Sequence, residues 1–137
     1  MTVASIDYNG LMQANLEHVF GERDEERRLK AIRILYADNA VLNEPHARAR
    51  GQAAISDAVT ELLASLPPGF VFRARGPAVG HNGMGRLSWS CGPQEGPAAV
   101  TGMDIAQFKN GRIESLFVFI DPASSETRFQ SHVGYSL

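Results

Sequence analysis

VTGMDIAQFKNGRIESLFVFID, residues 100–121, decides the fold. Its centre, Asn110-Gly111, is the strongest hairpin signal in the chain, because both residues tolerate the positive φ of a type I′ turn. The flanking runs predict two antiparallel strands, 100–109 and 112–121, with Pro122 closing the second. With Asn110 and Gly111 as the two turn residues, Lys109 pairs with Arg112, Phe108 with Ile113, and Asp104 with Phe117. Side chains alternate, so Asp104, Phe108, Ile113, Phe117, Phe119 and Asp121 are expected on one face, and Met103, Ile105, Leu116, Val118 and Ile120 on the other. Both faces are apolar. One is expected to be covered by helices and a pocket, the other by a second copy of the chain, a homodimer through the sheet being the simplest cover.

Asp104 stands out in that strand. Burying a lone carboxylate costs several kcal/mol, and the usual escape is a raised pKa that leaves it neutral. A second carboxylate in a strand-like run, Glu44, precedes Pro45 in AVLNEPH, residues 40–46. If Glu44 and Asp104 face one cavity, the chain is a small pocket protein with acid/base chemistry.

Upstream of the sheet the apolar spacing is helical. Leu11, Met12, Leu16, Val19 and Phe20 predict a first helix after the caps Ser5 and Asp7, ended by Gly21. Leu29, Ile32, Leu35 and Tyr36 predict a second, starting near Asp24 and stopped by Asp38 and Asn39. The short strand of Glu44 follows, and Pro45 makes it an edge or bends it. Ile55, Val59, Leu62 and Leu66 predict a third helix after Gly51, broken by Pro67 and Pro68. From Gly69 the period is two. Gly80-His81-Asn82-Gly83 predicts a turn, and in 84–91 Leu87, Trp89 and Cys91 share one face. The expectation is an α+β fold: three N-terminal helices (about 8–66) on a curved, mainly antiparallel sheet (about 70–121) that encloses a pocket, then a tail, 122–137. No repeat or linker divides the 137 residues, so one domain is expected.

Composition excludes several classes. Thirteen basic and fifteen acidic side chains give a formal charge of −2, with no footprint for nucleic acid. The one dense charge run, ERDEERRLK at 22–30, is expected to be a solvated helix face. No apolar run approaches the ~20 residues of a membrane span, and residues 1–10 carry no leader pattern, so a cytoplasmic protein is expected. Cys91 is the single cysteine, which precludes a disulfide within the chain. His18 and His132 have no carboxylate at ligand spacing, and His81 is expected to be exposed in a turn, so no metal is expected. No phosphate loop, dinucleotide fingerprint or nucleophile motif occurs.

From residue 11 to 121 the chain resembles the nuclear-transport-factor-two-like superfold, in the branch of ketosteroid isomerases and SnoaL-like polyketide cyclases. The resemblance lies in YADNAVLNEP (36–45), RGQAAI (50–55), GPAVGHNGMG (76–85) and MDIAQFKNGRI (103–113), in family order. It implies a conical, pocket-enclosing domain. Glu44 matches the isomerase carboxylate that shuttles a proton beside a carbonyl, and Asp104 the protonated aspartic acid that donates to the enolate oxygen, a pattern known from that enzyme class. Asn15 falls where those isomerases place an oxyanion-hole tyrosine. Losing such a donor costs about two or three orders of magnitude, so efficient steroid isomerisation is not expected. Asp121 resembles the catalytic aspartate of SnoaL-like cyclases. Limonene epoxide hydrolases need a further Asp and Arg on a neighbouring strand, where this chain has Arg86 without the Asp. Matching the isomerases would turn Leu116, Val118 and Ile120 inward, against the turn count, which is preferred here.

The combined expectation is cofactor-independent proton transfer on a small hydrophobic carbonyl compound, of isomerase or cyclase type. Glu44 is the base, Asp104 a neutral hydrogen-bond donor, Asn15 an auxiliary donor and Asp121 an alternative acid or base. His46, Val59, Phe108, Phe117 and Phe119 are expected to line the ligand. The alternative is a non-catalytic pocket, in which Glu44 pairs with Arg48 or Arg50 at the rim and Asp121 merely ends a strand. The tail from Ser124, with Phe129 and Tyr135, is expected to cap the pocket or pack on the partner.

Overall fold

The computed structural model describes residues 5–122; the tail from Ser124 lies outside them. Three helices and seven strands follow one another as α1 (Tyr8–Asn15), a π-helical turn (Leu16–Phe20), α2 (Glu25–Leu35), β1 (Tyr36–Glu44), β2 (Ala47–Arg50), α3 (Gln52–Ser65), β3 (Phe70–Ala74), β4 (Val79–His81), β5 (Met84–Pro93), β6 (Val100–Lys109) and β7 (Arg112–Ile120). Asp7 caps α1, its Oδ1 accepting from the Gly10 amide at 2.9 Å. Asp24 caps α2 by accepting from the Arg27 amide at 2.9 Å, with Glu25 and Glu26 in the positive first turn. Gly21 ends the π-helical turn where a stop was expected.

The strands form one curved, open, mixed sheet in the order β2-β1-β7-β6-β5-β3, with β4 beside β5. Only β1 and β7 run parallel; every other pair is antiparallel. The core joins Met12, Leu16, Ile32, Ile55 and Val59 of the helical segments to Leu42, Leu87, Trp89, Ala106 and Leu116 of the sheet's inner face. Asn82-Gly83 and Asn110-Gly111 are both two-residue turns with positive φ at each residue, as their sequences demand.

Two boundaries differ from the sequence reading. Helix α2 stops at Leu35 because Tyr36 already takes extended geometry and pairs with Ile113, so β1 is longer than expected. Strand β2, ARAR, was not anticipated, since Ala and Arg carry little strand preference; it forms because Pro45-His46 folds it back on β1. The charge run at 22–30 is solvated except at Arg28, which is 1% exposed. Its guanidinium donates to the Glu22 carbonyl (2.8 Å), the Ser56 hydroxyl (3.2 Å) and carbonyl (3.3 Å), and the Thr60 hydroxyl. A buried cation must find acceptors on all sides, and these tie α2 to α3.

The largest correction concerns the 100–121 hairpin. Lys109–Arg112 and Phe108–Ile113 pair as counted, but the next pair is Gln107–Ser115, leaving Glu114 without a partner. This β-bulge shifts the register by one residue and exchanges the faces of β7. Asp104 therefore faces Val118 rather than Phe117, and Leu116, Val118 and Ile120 share its side of the sheet. Phe117 and Phe119 turn outward, 39% and 55% exposed.

Candidate active site

A cleft between the helical layer and the inner face of the sheet is lined by Leu16, Phe20, Glu44, Pro45, Leu62, Phe72, Trp89, Asp104, Val118 and Ile120. The cleft is narrow, with about 20 Å³ open to the centre of a water molecule. That is room for roughly one water. The two carboxylates singled out from the sequence thus meet in one apolar space.

Asp104 is 3% exposed. Leu87 is its cross-strand neighbour on β5, and Trp89, two residues on, reaches diagonally over to it. The indole Nε1–H donates to Asp104 Oδ1 at 2.9 Å, while Oδ2 has no hydrogen-bond partner among the described residues. Burial lifts the carboxyl to a pKa of about 7, against the downward pull of the indole bond. Near neutrality a large share of this group is therefore a neutral acid able to donate.

The indole reaches Asp104 because Gly102 lies beneath it. A Cβ at Gly102 would fall 2.4 Å from Trp89 Cζ2 and 2.4 Å from the Phe119 carbonyl oxygen. Gly102→Ala should destabilise the protein by about 2 kcal/mol through overpacking. It should also shift the emission of Trp89, the single tryptophan, as the indole leaves Asp104. Denaturant titration followed by fluorescence checks both; unchanged midpoint and emission would show that the strand has room to spare.

Glu44, the last residue of β1, is half-buried and its Oε1 is enclosed with no hydrogen-bond partner among the described residues. Burial, with the charge of Glu61 second, raises its pKa. The rim pairing with arginine does not occur: among the described residues the ion pairs are Glu22–Arg27, Asp38–Arg112 and Glu17–His18, and Arg48 instead donates to Asn43 Oδ1 at 3.3 Å. An enclosed carboxylate oxygen with nothing to stabilise its charge is a proton acceptor in waiting.

Behind Asp104, the Tyr36 hydroxyl donates to Asn15 Oδ1 at 2.6 Å, both side chains being buried. Burial pushes the phenol pKa well up and the nearby Asp104 charge adds to it, while the Asn15 bond opposes. Asn15 thus engages the tyrosine of β1 with its carbonyl oxygen.

The other sequence candidates fall elsewhere. Val59 is fully buried in the core on α3, and Phe108 packs edge-on to Tyr8 with ring centroids 5.5 Å apart; neither lines the cleft. His46 is exposed in the β1–β2 turn. Phe117 and Phe119 are on the outer face because of the bulge. Asp121 is exposed beyond β7, its carboxylate accepting from the Thr101 hydroxyl at 2.7 Å and its amide donating to the Thr101 carbonyl. The bland reading, a strand end, describes its position. The alternation of 84–91 puts Trp89 on one face with Leu87 and Cys91, but its bond to Asp104 follows from the β5–β6 register, which the sequence does not state. Among the described residues no three His, Cys, Asp or Glu side chains gather in a metal-holding group, and no helix is long and apolar enough to cross a membrane.

A mixed curved sheet with three helical segments, and two carboxylates converging between them, defines the class. A family model for the SnoaL-like domain matches residues 18–116. The chain belongs to that family, within the nuclear-transport-factor-two-like superfamily. Among solved structures it is similar to a candidate isomerase of the SnoaL-like family from Agrobacterium tumefaciens, at 26% identity and TM-score 0.77, over 84% of this chain and 97% of that one. It shares its fold with a candidate ketosteroid isomerase from Kribbella flavida (14% identity, TM-score 0.66, 86% and 80% covered). A candidate polyketide cyclase from Sinorhizobium meliloti has it too (16%, 0.63, 80% and 93%). No curated protein matches the sequence.

Proposed function

We propose that the protein is a cofactor-independent acid/base enzyme that moves a proton beside the carbonyl of a small hydrophobic compound, as an isomerase or a cyclase does. The observation that carries this is the convergence of Glu44 and Asp104 in one apolar cleft, with neither carboxylate in an ion pair among the described residues. Glu44 takes the proton from the carbon next to the carbonyl. Asp104, neutral and held by Trp89, donates a hydrogen bond to the oxygen as enolate charge develops there. Asn15 and Tyr36 position the floor behind it. In this reading residues 1–137 form one cone-shaped domain whose apolar walls, chiefly Leu16, Phe20, Phe72, Val118 and Ile120, select apolar substrates.

The same reading takes the protein to be a homodimer through the sheet. The bulge leaves Phe117 paired with Ile105 and Phe119 with Met103 on the outer face, a contiguous apolar patch of the kind that a second copy covers.

The test is exchange of α-protons for deuterium in small enones and aryl ketones, followed by proton NMR. The wild-type protein is expected to accelerate exchange well above buffer, and the activity is expected to require Glu44. Exchange no faster than buffer across the panel would favour a non-catalytic binding protein of the same fold.

A further inference from the structure

The narrow cleft is not isolated. Leu16, Phe20 and Phe72, which line it, also line a second, wider hollow between the π-helical turn and β3, where about 370 Å³ admits the centre of a water molecule against about 20 Å³ in the cleft. Phe20 and Phe72 meet edge-on across the boundary, ring centroids 6.2 Å apart, and Phe72 continues edge-on to Trp89 at 5.6 Å. One row of aromatic rings thus runs from the outer hollow to the residue that holds Asp104. Leu16 and Phe20 are the first and last residues of a π-helical turn, an under-wound geometry found disproportionately at functional sites.

The outer hollow differs from the inner cleft in polarity. Gln13, Glu17 and Arg23 join its apolar wall. Glu17 lies on the exposed side, 3.9 Å from His18 Nε2. Among the described residues Arg23 has no carboxylate partner, and it makes a long donation to the Phe70 carbonyl, 3.4 Å. Arg23 is exposed, yet its charge reaches the inner face of the sheet: burial raises the Cys91 thiol to about 11, and Arg23 opposes that rise. An exposed cation with no carboxylate partner among the described residues, at the rim of a hollow that continues into an apolar cleft, is a receptor for an anionic group.

We infer that the hollow and the cleft are two compartments of one ligand site, and that the ligand is an amphipathic anion whose charged end, a carboxylate or an equivalent anionic group, sits on Arg23 while its apolar body passes Phe20 and Phe72. This rests on the cleft being the ligand site proposed above and adds the substrate class: apolar carbonyl compounds that carry an acidic group several bonds from the reacting carbon. The inner compartment holds about one water as it stands, so Phe20 must swing aside to admit the body.

The test compares two non-reacting probes of one shape, 4-phenylbutanoate and 4-phenylbutanamide, binding to the whole protein and read by the fluorescence of Trp89. The carboxylate is expected to bind about tenfold more tightly than the amide at low salt, the two converging as salt is raised. Arg23→Gln is expected to abolish that preference and leave the amide's affinity where it was, while Asp104→Asn, remote from the anionic end, keeps the preference. Equal affinities in the wild type, a preference that survives Arg23→Gln, or no Trp89 response to either probe would overturn the inference. The outcomes separate it from the proposed chemistry. An Arg23-dependent preference without α-proton exchange would remove the chemistry alone, and exchange without the preference would remove this inference alone.

Discussion

At pH 8, Asp104→Asn will be more stable than the parent protein, by about 4 kcal/mol, and at pH 4 the two will be alike. The sign follows from where the proton sits. In the unfolded chain an aspartate ionises near ~3.9. In the folded protein burial holds Asp104 protonated to a pKa of about 7. Between those values unfolding releases a proton, so wild-type stability falls as pH rises from about 4 to about 7 and is flat beyond. About three pKa steps at roughly 1.4 kcal/mol each give the ~4 kcal/mol. Asparagine keeps an oxygen for the Trp89 indole and has no charge to bury, so its stability does not carry that slope. For a chain of this size the gap corresponds to upwards of about 10 °C in midpoint at pH 8. Thermal unfolding of both proteins at pH 4, 6 and 8 measures it; parallel curves across that range would mean that Asp104 ionises as freely folded as unfolded, and would remove the neutral donor from the mechanism. Glu44, also raised, adds a slope of the same sign that both proteins share.

The second large effect is kinetic. Glu44→Gln is expected to lower α-proton exchange by about 10²- to 10⁴-fold, the usual range for removing a positioned general base, while the fold and probe binding persist. The wild-type rate needs Glu44 ionised and Asp104 protonated, so its pH profile should be bell-shaped. The falling limb belongs to Asp104, near pH 7, and should be missing in Asp104→Asn. The rising limb belongs to Glu44, and since the Glu61 charge helps to raise that group, Glu61→Gln should move the limb to lower pH without abolishing exchange. A Glu44→Gln protein as active as wild type would place the base elsewhere.

How much of this was legible in the sequence depends on what each feature rests on. The three helices are legible from caps and apolar spacing, the Asn110-Gly111 turn from backbone preference and a turn at 80–83 from its composition, because those signals are local. The convergence of Glu44 and Asp104 was legible as two carboxylates in apolar strands, with family resemblance to say that they meet. The register of β7 was not legible by counting. ESLFVFI is apolar on both faces, so neither setting of the strand is penalised by pattern, and a bulge at Glu114 adds no residue type of its own. The isomerase resemblance pointed to the correct inward set, Leu116, Val118 and Ile120, against the turn count. Arg28 escaped because a charge run records composition, whereas its burial comes from oxygens on α3, twenty-eight and more residues away. Trp89 was placed on the right face, yet its bond to Asp104 needs Gly102 on the adjacent strand, a three-residue condition that no single window contains.

The unpaired Glu114 has one more consequence, for how this pocket can change over generations. Most substitutions in β7 alter one side chain where it stands. Deleting Glu114 would instead exchange the inward and outward sets at once, replacing an aliphatic lining by phenyl rings and turning the aliphatic residues to the other surface. In this chain a change in length by one residue at the bulge is a larger step in ligand preference, and in the surface offered to another copy, than a single amino-acid replacement along the same strand.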